Sequence, residues 1–203
     1  MDYLRDPAAI YRRSFEIIRA ETDFSQLPPD AEPIATRIIH ACGMPDIAPD
    51  LRISSDFVTA AQGALAAGTT VLVDVEMVRH GIIDKQLNVV CTLNDPRARE
   101  VGMATGNTRS AAAVEFWRDH LAGSIAVIGN APTALFALLE MIDAGAPTPA
   151  AIVGFPVGFV GAAESKDELH ANPRGIPYAA LLGRRGGSAM AASVINALTR
   201  GAA

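Results

Sequence analysis

The chain has 203 residues and a formal net charge of -5, with 50% hydrophobic and 19% charged residues, a length and balance that suit one globular domain with a sizeable core. No lysine or arginine run forms a phosphate-binding stripe, which argues against nucleic acid, and the mild acidity argues against an anionic membrane surface. Two cysteines, Cys42 and Cys91, are too few for a disulfide scaffold, and the four histidines are scattered without metal-ligand spacing.

The opening "MDYLRDPAAI" is charged at once and lacks the apolar segment of a secretory signal. The longest apolar stretch, 124–142, is interrupted by Gly129, Asn130 and Pro132, short of the roughly 18 to 20 apolar residues of a membrane span. The expectation is a cytoplasmic enzyme with no metal or other cofactor, no membrane partner and no nucleic-acid partner.

"DPAAIYRRSFEIIRAE" predicts a first helix, with Asp6 as N-cap and Pro7 at its first position. A second is expected from about Asp30 to Gly43, a natural left-handed C-cap, and a third from Ser55 to Ala67, stopped by Gly68. "TTVLVDVEMV" (69–78) then reads as a buried strand and "LNVVCTL" (87–93) as a second. A helix at 107–123, a strand at 124–129 and a helix from Pro132 follow. Strands at 150–156 and 178–182 come next, and the closing helix is "GGSAMAASVINALTR". The alternation predicts an α/β fold: a mostly parallel sheet flanked by helices on both faces, in a single domain (1–203) with N-terminal helices. The segment 156–177, rich in Gly, Pro and charge, is long enough for a functional loop.

Ligands of such sheets bind beyond the carboxyl ends of the strands, often against helix N-termini. The turn in "AVIGNAPTALF" could offer free amides to an anionic oxygen, although Gly-Asn also serves geometry alone; it is neither a P-loop nor a dinucleotide fingerprint. In "GNTRSAAA" Asn107 or Thr108 is the expected N-cap, which puts Arg109 in the first helical turn, where a cation is mildly unfavourable. Arg109 is therefore a candidate carboxylate anchor, or a solvated surface charge. Ser14 falls inside the stripe Ile10, Tyr11, Ile17, Ile18, either bonded to a carbonyl one turn back or facing a ligand. Lys166 and "GRRGGS" (183–188) are further cationic candidates, each with an ordinary solvated alternative.

"RIIHACGMPD" (37–46) holds His40. The stripe Ala31, Ile34, Ala35, Ile38, Ile39, Cys42 faces the core, and His40 projects roughly 180° from its centre. It is thus exposed or turned to a second surface, a cleft or a subunit contact. Cys42 lies on the stripe as a structural thiol, which argues against a Cys–His nucleophilic pair. The last helical turn favours imidazolium, so the expected pKa is raised, as suits a general acid.

The blocks "YRRSFEIIRAE", "IIHACG", "GNTRSAAA", "IGNAPTALFALLEM" and "PVGFVGAAESKDEL", in this order over nearly the whole chain, resemble the precorrin-8X methylmutase family of cobalamin biosynthesis. The resemblance implies a homodimer that moves a methyl group on ring C of a tetrapyrrole from one ring carbon to its neighbour, giving hydrogenobyrinate. It implies a catalytic role for His40 and substrate contacts for Ser14 and Arg109, with Thr108 beside the latter and Lys166 in the Glu-Ser-Lys block. A large, flat, carboxylate-fringed ring suits a pocket lined by small residues with scattered donors, and a methyl shift assisted by one acid requires no cofactor. The segment 80–91 is shorter than the family blocks lead one to expect. Rival readings are a cobalt-precorrin-8 methylmutase, a non-catalytic tetrapyrrole-binding protein, and an unrelated methyltransferase, the last disfavoured by the lack of a glycine-rich loop after the first strand.

Overall fold

A computed structural model describes Met1 and residues 3–200. Helix α1 (Pro7–Glu21) starts as the sequence dictates: the Asp6 carboxylate accepts the Ala8 amide at 3.1 Å. A 3-10 turn over Pro29–Ala31 leads into α2 (Glu32–Cys42). Gly43 ends it at φ 69°, ψ 24°, and its N–H donates to the Ile39 carbonyl, a left-handed cap that costs a glycine nothing. A second 3-10 segment (Pro45–Asp50) leads to strand β1 (Leu51–Ile53), and α3 spans Phe57–Ala66.

The alternating region then builds the sheet. Its elements are β2 (Val71–Val73), α4 (Glu76–Gly81), β3 (Val89–Cys91), α5 (Pro96–Thr105), α6 (Arg109–Val114), β4 (Ile125–Ile128), α7 (Pro132–Asp143), β5 (Ala151–Gly154), α8 (Ala162–Ala171), β6 (Tyr178–Leu181) and α9 (Ser188–Arg200). The six strands lie in the order β1-β6-β5-β4-β2-β3. Every pairing is parallel except that of β1 with β6, where Leu51 faces Leu181 and Ile53 faces Ala179. The expected α/β architecture with a mostly parallel sheet is what the chain forms.

Side chains alternate across the pleat, so each strand feeds two cores. Val71, Val73, Ile125, Val127, Ala151, Val153, Ala179 and Leu181 pack under a layer that includes α1, α2, α3, α4 and α9. Leu72, Ala126, Ile128, Ile152, Tyr178 and Ala180 pack under α6, α7 and α8 on the opposite face. This division decides which candidate residues can meet within one chain.

Several boundaries differ from the sequence reading. The strand expected over 69–78 stops at Val73, and Glu76–Gly81 is helical. The helix expected over 107–123 tightens to a 3-10 segment at Glu115–His120. Helix α5 and strand β1 were not anticipated. Strand β1 is three residues long with Arg52 in its middle, so only its pairing with β6 identifies it. Within the segment 156–177, residues Ala162–Ala171 form α8 and the rest is loop. No helix among the described residues is long and apolar enough to cross a membrane.

Candidate active site

Helix α1 packs on α2 by burying Phe15 and Ile18, while Ile10, Tyr11 and Ile17 of the same apolar set stay about two-fifths exposed. Ser14 lies on this seam, and its Oγ is 2.9 Å from His40 Nδ1. Two sequence candidates 26 residues apart are therefore one hydrogen-bonded pair. The His40 ring packs against two aromatic rings of α1 in a triangular cluster, with centroids 5.0 Å from Tyr11 and 5.3 Å from Phe15, the latter edge-on.

Arg37, one turn before His40 and only 7% exposed, completes the cluster. Its Nη1 donates to the Tyr11 hydroxyl at 3.1 Å, and its guanidinium lies 5.8 Å from both the Tyr11 and Phe15 ring centres. Arg37, Tyr11 and Phe15 were not singled out from sequence. The available signal was helical spacing: Tyr11, Ser14 and Phe15 share one face of α1, and Arg37 and His40 share one face of α2.

This setting reverses the expected electrostatics of His40. Burial, and secondarily the Arg37 charge, hold its pKa below the ordinary value of 6.5; the C-terminal helix position does not prevail. Burial disfavours the imidazolium, and a guanidinium nearby repels it. His40 at neutral pH is mainly neutral, and its protonated minority is a stronger acid than a free imidazolium. Neutral and protonated on Nε2, the ring accepts from the serine hydroxyl at Nδ1; as imidazolium it donates from Nδ1 to the serine oxygen. Either way Ser14 pins the ring and leaves Nε2 for a ligand. Cys42 does not contact His40; its Sγ donates to the Ile39 carbonyl at 3.5 Å, and burial pushes its thiol pKa up.

Two shallow hollows meet at His40. One, about 200 Å³, is walled by Ser14, Ile17, Ile18, Ile39, Gly43 and Pro45 with Glu21 at its rim. The other, about 230 Å³, is lined by Tyr11, Arg37, Ala41, Gly81, Ile83, Ala189, Ala192, Ser193 and Asn196. A roomier hollow, about 520 Å³, lies between α5, α6 and α7, and none of Ser14, His40, Arg109 and Lys166 lines it; volume alone does not mark the site.

Arg109 and Thr108 stand elsewhere. Thr108 is the N-cap of α6, accepting the Ala111 amide at 3.1 Å, and its hydroxyl is 2.8 Å from that of Thr133 on α7. Arg109, the first residue of α6, is exposed. It lines neither hollow at His40, because α6 belongs to the opposite layer.

Lys166, on α8, is fully buried, and its Nζ donates to the Pro156 carbonyl at 3.0 Å and the Arg185 carbonyl at 2.6 Å, so it is not the solvated lysine that the sequence also allowed. Burial pulls its pKa down to about 8. The turn after β4 corrects the expectation of free amides there. Its amides are not free for a ligand, since the buried Asp74 carboxylate accepts from Gly129, Asn130 and Ala131 at 2.8, 3.0 and 2.9 Å. Burial raises the Asp74 pKa while these donors oppose the rise. Arg185 of "GRRGGS" is also engaged, pairing with Asp46 at 2.5 Å and Asp50 at 3.0 Å.

Comparison with known proteins places this geometry. The precorrin-8X methylmutase family model matches residues 9–200. A precorrin-8X methylmutase of Pseudomonas aeruginosa is 57% identical over 202 residues, covering 98% of this chain and 97% of that protein. A cobalt-precorrin-8 methylmutase of Methanothermobacter thermautotrophicus is 38% identical over 191 residues, covering 93% and 90%. The solved structure of a precorrin-8X methylmutase from Thermus thermophilus has a TM-score of 0.85 at 36% identity, with 96% of each chain covered.

Proposed function

The chain belongs to the precorrin-8X methylmutase family and is an isomerase of cobalamin biosynthesis; from that premise we propose that it converts metal-free precorrin-8X to hydrogenobyrinate, with His40 as general acid. The observation that carries this reading is the Ser14–His40 pair at 2.9 Å, set among aromatic rings beside two open hollows. Nε2 delivers a proton to the conjugated ring system, the added positive charge lowers the barrier to methyl migration, and the proton returns once the methyl has moved. A weakened hold on the proton suits transfer to a poorly basic carbon framework. The greater likeness to the P. aeruginosa protein than to the cobalt-ring enzyme, 57% against 38%, supports the metal-free substrate. The test is turnover of precorrin-8X followed by the absorbance of the product. Metal-free substrate should react faster than its cobalt complex, and preference for the cobalt ring would overturn the assignment.

We also propose a cytoplasmic homodimer whose site takes residues from both copies, with Thr108 and Arg109 of one copy holding carboxylates of the ring that His40 of the other protonates. Three observations support it. The two groups of residues stand on opposite faces of one sheet. Each hollow at His40 is smaller than the roughly 300–1,000 Å³ of typical ligand sites. Tyr3, Leu4, Ile10, Tyr11, Ile17 and Ile83 leave apolar surface exposed on α1, the segment before it and the segment after α4. Mixing His40→Ala with Arg109→Ala protein is expected to restore activity to about a quarter of wild type, since half of randomly exchanged dimers are mixed and each holds one intact site. No recovery after verified subunit exchange would place both residues in one copy's site.

A further inference from the structure

The segment after β5 and the segment before α9 are joined at many points. The Gly187 amide donates to the Phe155 carbonyl at 2.8 Å and the Gly158 amide to the Arg184 carbonyl at 3.2 Å, while the Val157 amide ties the first segment to the turn after β4 through the Asn130 carbonyl at 3.2 Å. Lys166 Nζ reaches one carbonyl from each segment, at 3.0 and 2.6 Å. The backbones approach so closely that a Cβ on Gly186 would lie 2.5 Å from the carbonyl oxygens of Phe155 and Pro156, so only glycine fits there.

On this firm base stands a tip that the fold does not use. Phe159 and Val160 are 84% and 88% exposed, and the Arg184 guanidinium lies 5.6 Å from the centre of the Phe159 ring. A flat apolar ring capped by a cation matches a conjugated macrocycle fringed with carboxylates: the arene can stack on the ring and the guanidinium can meet an acidic side chain. The tip is also well placed. A Cβ on Gly161, just beyond it, would lie 3.3 Å from Pro132 and 3.4 Å from Phe136, next to Thr133, which bonds Thr108 beside Arg109. From the other side, Arg185 ties the same rim to Asp46 and Asp50, just past the Gly43–Pro45 wall of the His40 hollow.

We infer that Phe159 and Arg184 form a further substrate contact, a stacking rim beside the Arg109 corner against the ring held there, and that Lys166 is the positioning residue that holds the rim in place. This rests on the tetrapyrrole reading. The test is absorbance titration of hydrogenobyrinate, with steady-state kinetics, on wild type, Phe159→Ala, Arg184→Ala, Lys166→Met and the Phe159→Ala/Lys166→Met double variant. Each single change should weaken product binding and raise KM roughly three- to tenfold, with kcat nearly unchanged. Phe159→Ala should cost little more once Lys166 is gone, because the two act through one element. Product affinities of Phe159→Ala and Arg184→Ala within about twofold of wild type would overturn the inference. So would a loss of dimer in sedimentation with product binding unchanged, which would make the rim a subunit contact. Failure of the wild type to bind product would instead sink the functional reading itself.

Discussion

His40→Ala is expected to lower turnover by about a hundred- to ten-thousandfold, the range that general acids supply, while the protein stays folded. His40 is only partly buried and its ring anchors no backbone, so circular dichroism and the melting temperature should change little. Near-normal turnover would end the general-acid assignment. Ser14→Ala should lose less, roughly tenfold, because the acid remains and only its orientation is released. The pH dependence gives an independent check. An acid acts in its protonated form, so kcat/KM should fall as pH rises through the His40 pKa. Burial and Arg37 place that inflection below 6.5. Arg37→Met should move it upward by removing the repelling charge. For stability the sign follows the same shift: His40 takes up a proton less readily folded than unfolded. Its stabilising contribution is therefore complete above the unfolded value of about 6.5 and is lost as pH falls through the lower, folded pKa.

The second large effect concerns the frame behind the site. Asp74→Ala should destabilise the protein by about 3 kcal/mol, because the amides of Gly129, Asn130 and Ala131 lose the buried carboxylate that is their common acceptor. For a chain of this size that is a drop of roughly 6–12 °C in melting temperature. Asp74→Asn keeps the shape and one acceptor oxygen but turns an amide group toward an N–H, and should fall between. A loss under about 1 kcal/mol for the alanine variant would mean that water replaces the carboxylate. Because Gly129 and Asn130 support both Ser188 at the start of α9 and Val157 at the base of the rim, the destabilised variant should also bind product less tightly.

Much of the fold was legible because it is local. The Asp6 cap, Pro7 at the helix start and the Gly43 stop act within a turn, and each set its boundary as expected. The apolar runs around 71–73, 125–128 and 151–154 form buried strands because residues on both sides of the pleat are covered. What failed depended on distant partners. Strand β1 exists through pairing with β6, 128 residues away from Ile53 in sequence to Leu181 at its far end. The strand at 69–78 stops at Val73 because Asp74 turns its carboxylate to the amides of another loop. Helix α5 carries mixed polarity and buries only Ala98 and Gly102, too weak a periodicity to read without α6 beside it.

The candidate site divides in the same way. The order of residues was enough to set which residue types were available, the helix faces that carry Ser14 and His40, and, through the order of its blocks, the family. Side-chain periodicity and capping are short-range, so the chain specifies them wherever it folds. Packing between distant segments was needed to bring Ser14 to His40, to have burial and Arg37 lower rather than raise the histidine pKa, to engage Lys166 with two carbonyls, and to set Arg109 across the sheet from His40. Those outcomes depend on which faces the packing brings together and how much water it leaves there. Charge, exposure and hydrogen bonding are properties of that surrounding and not of the residue alone.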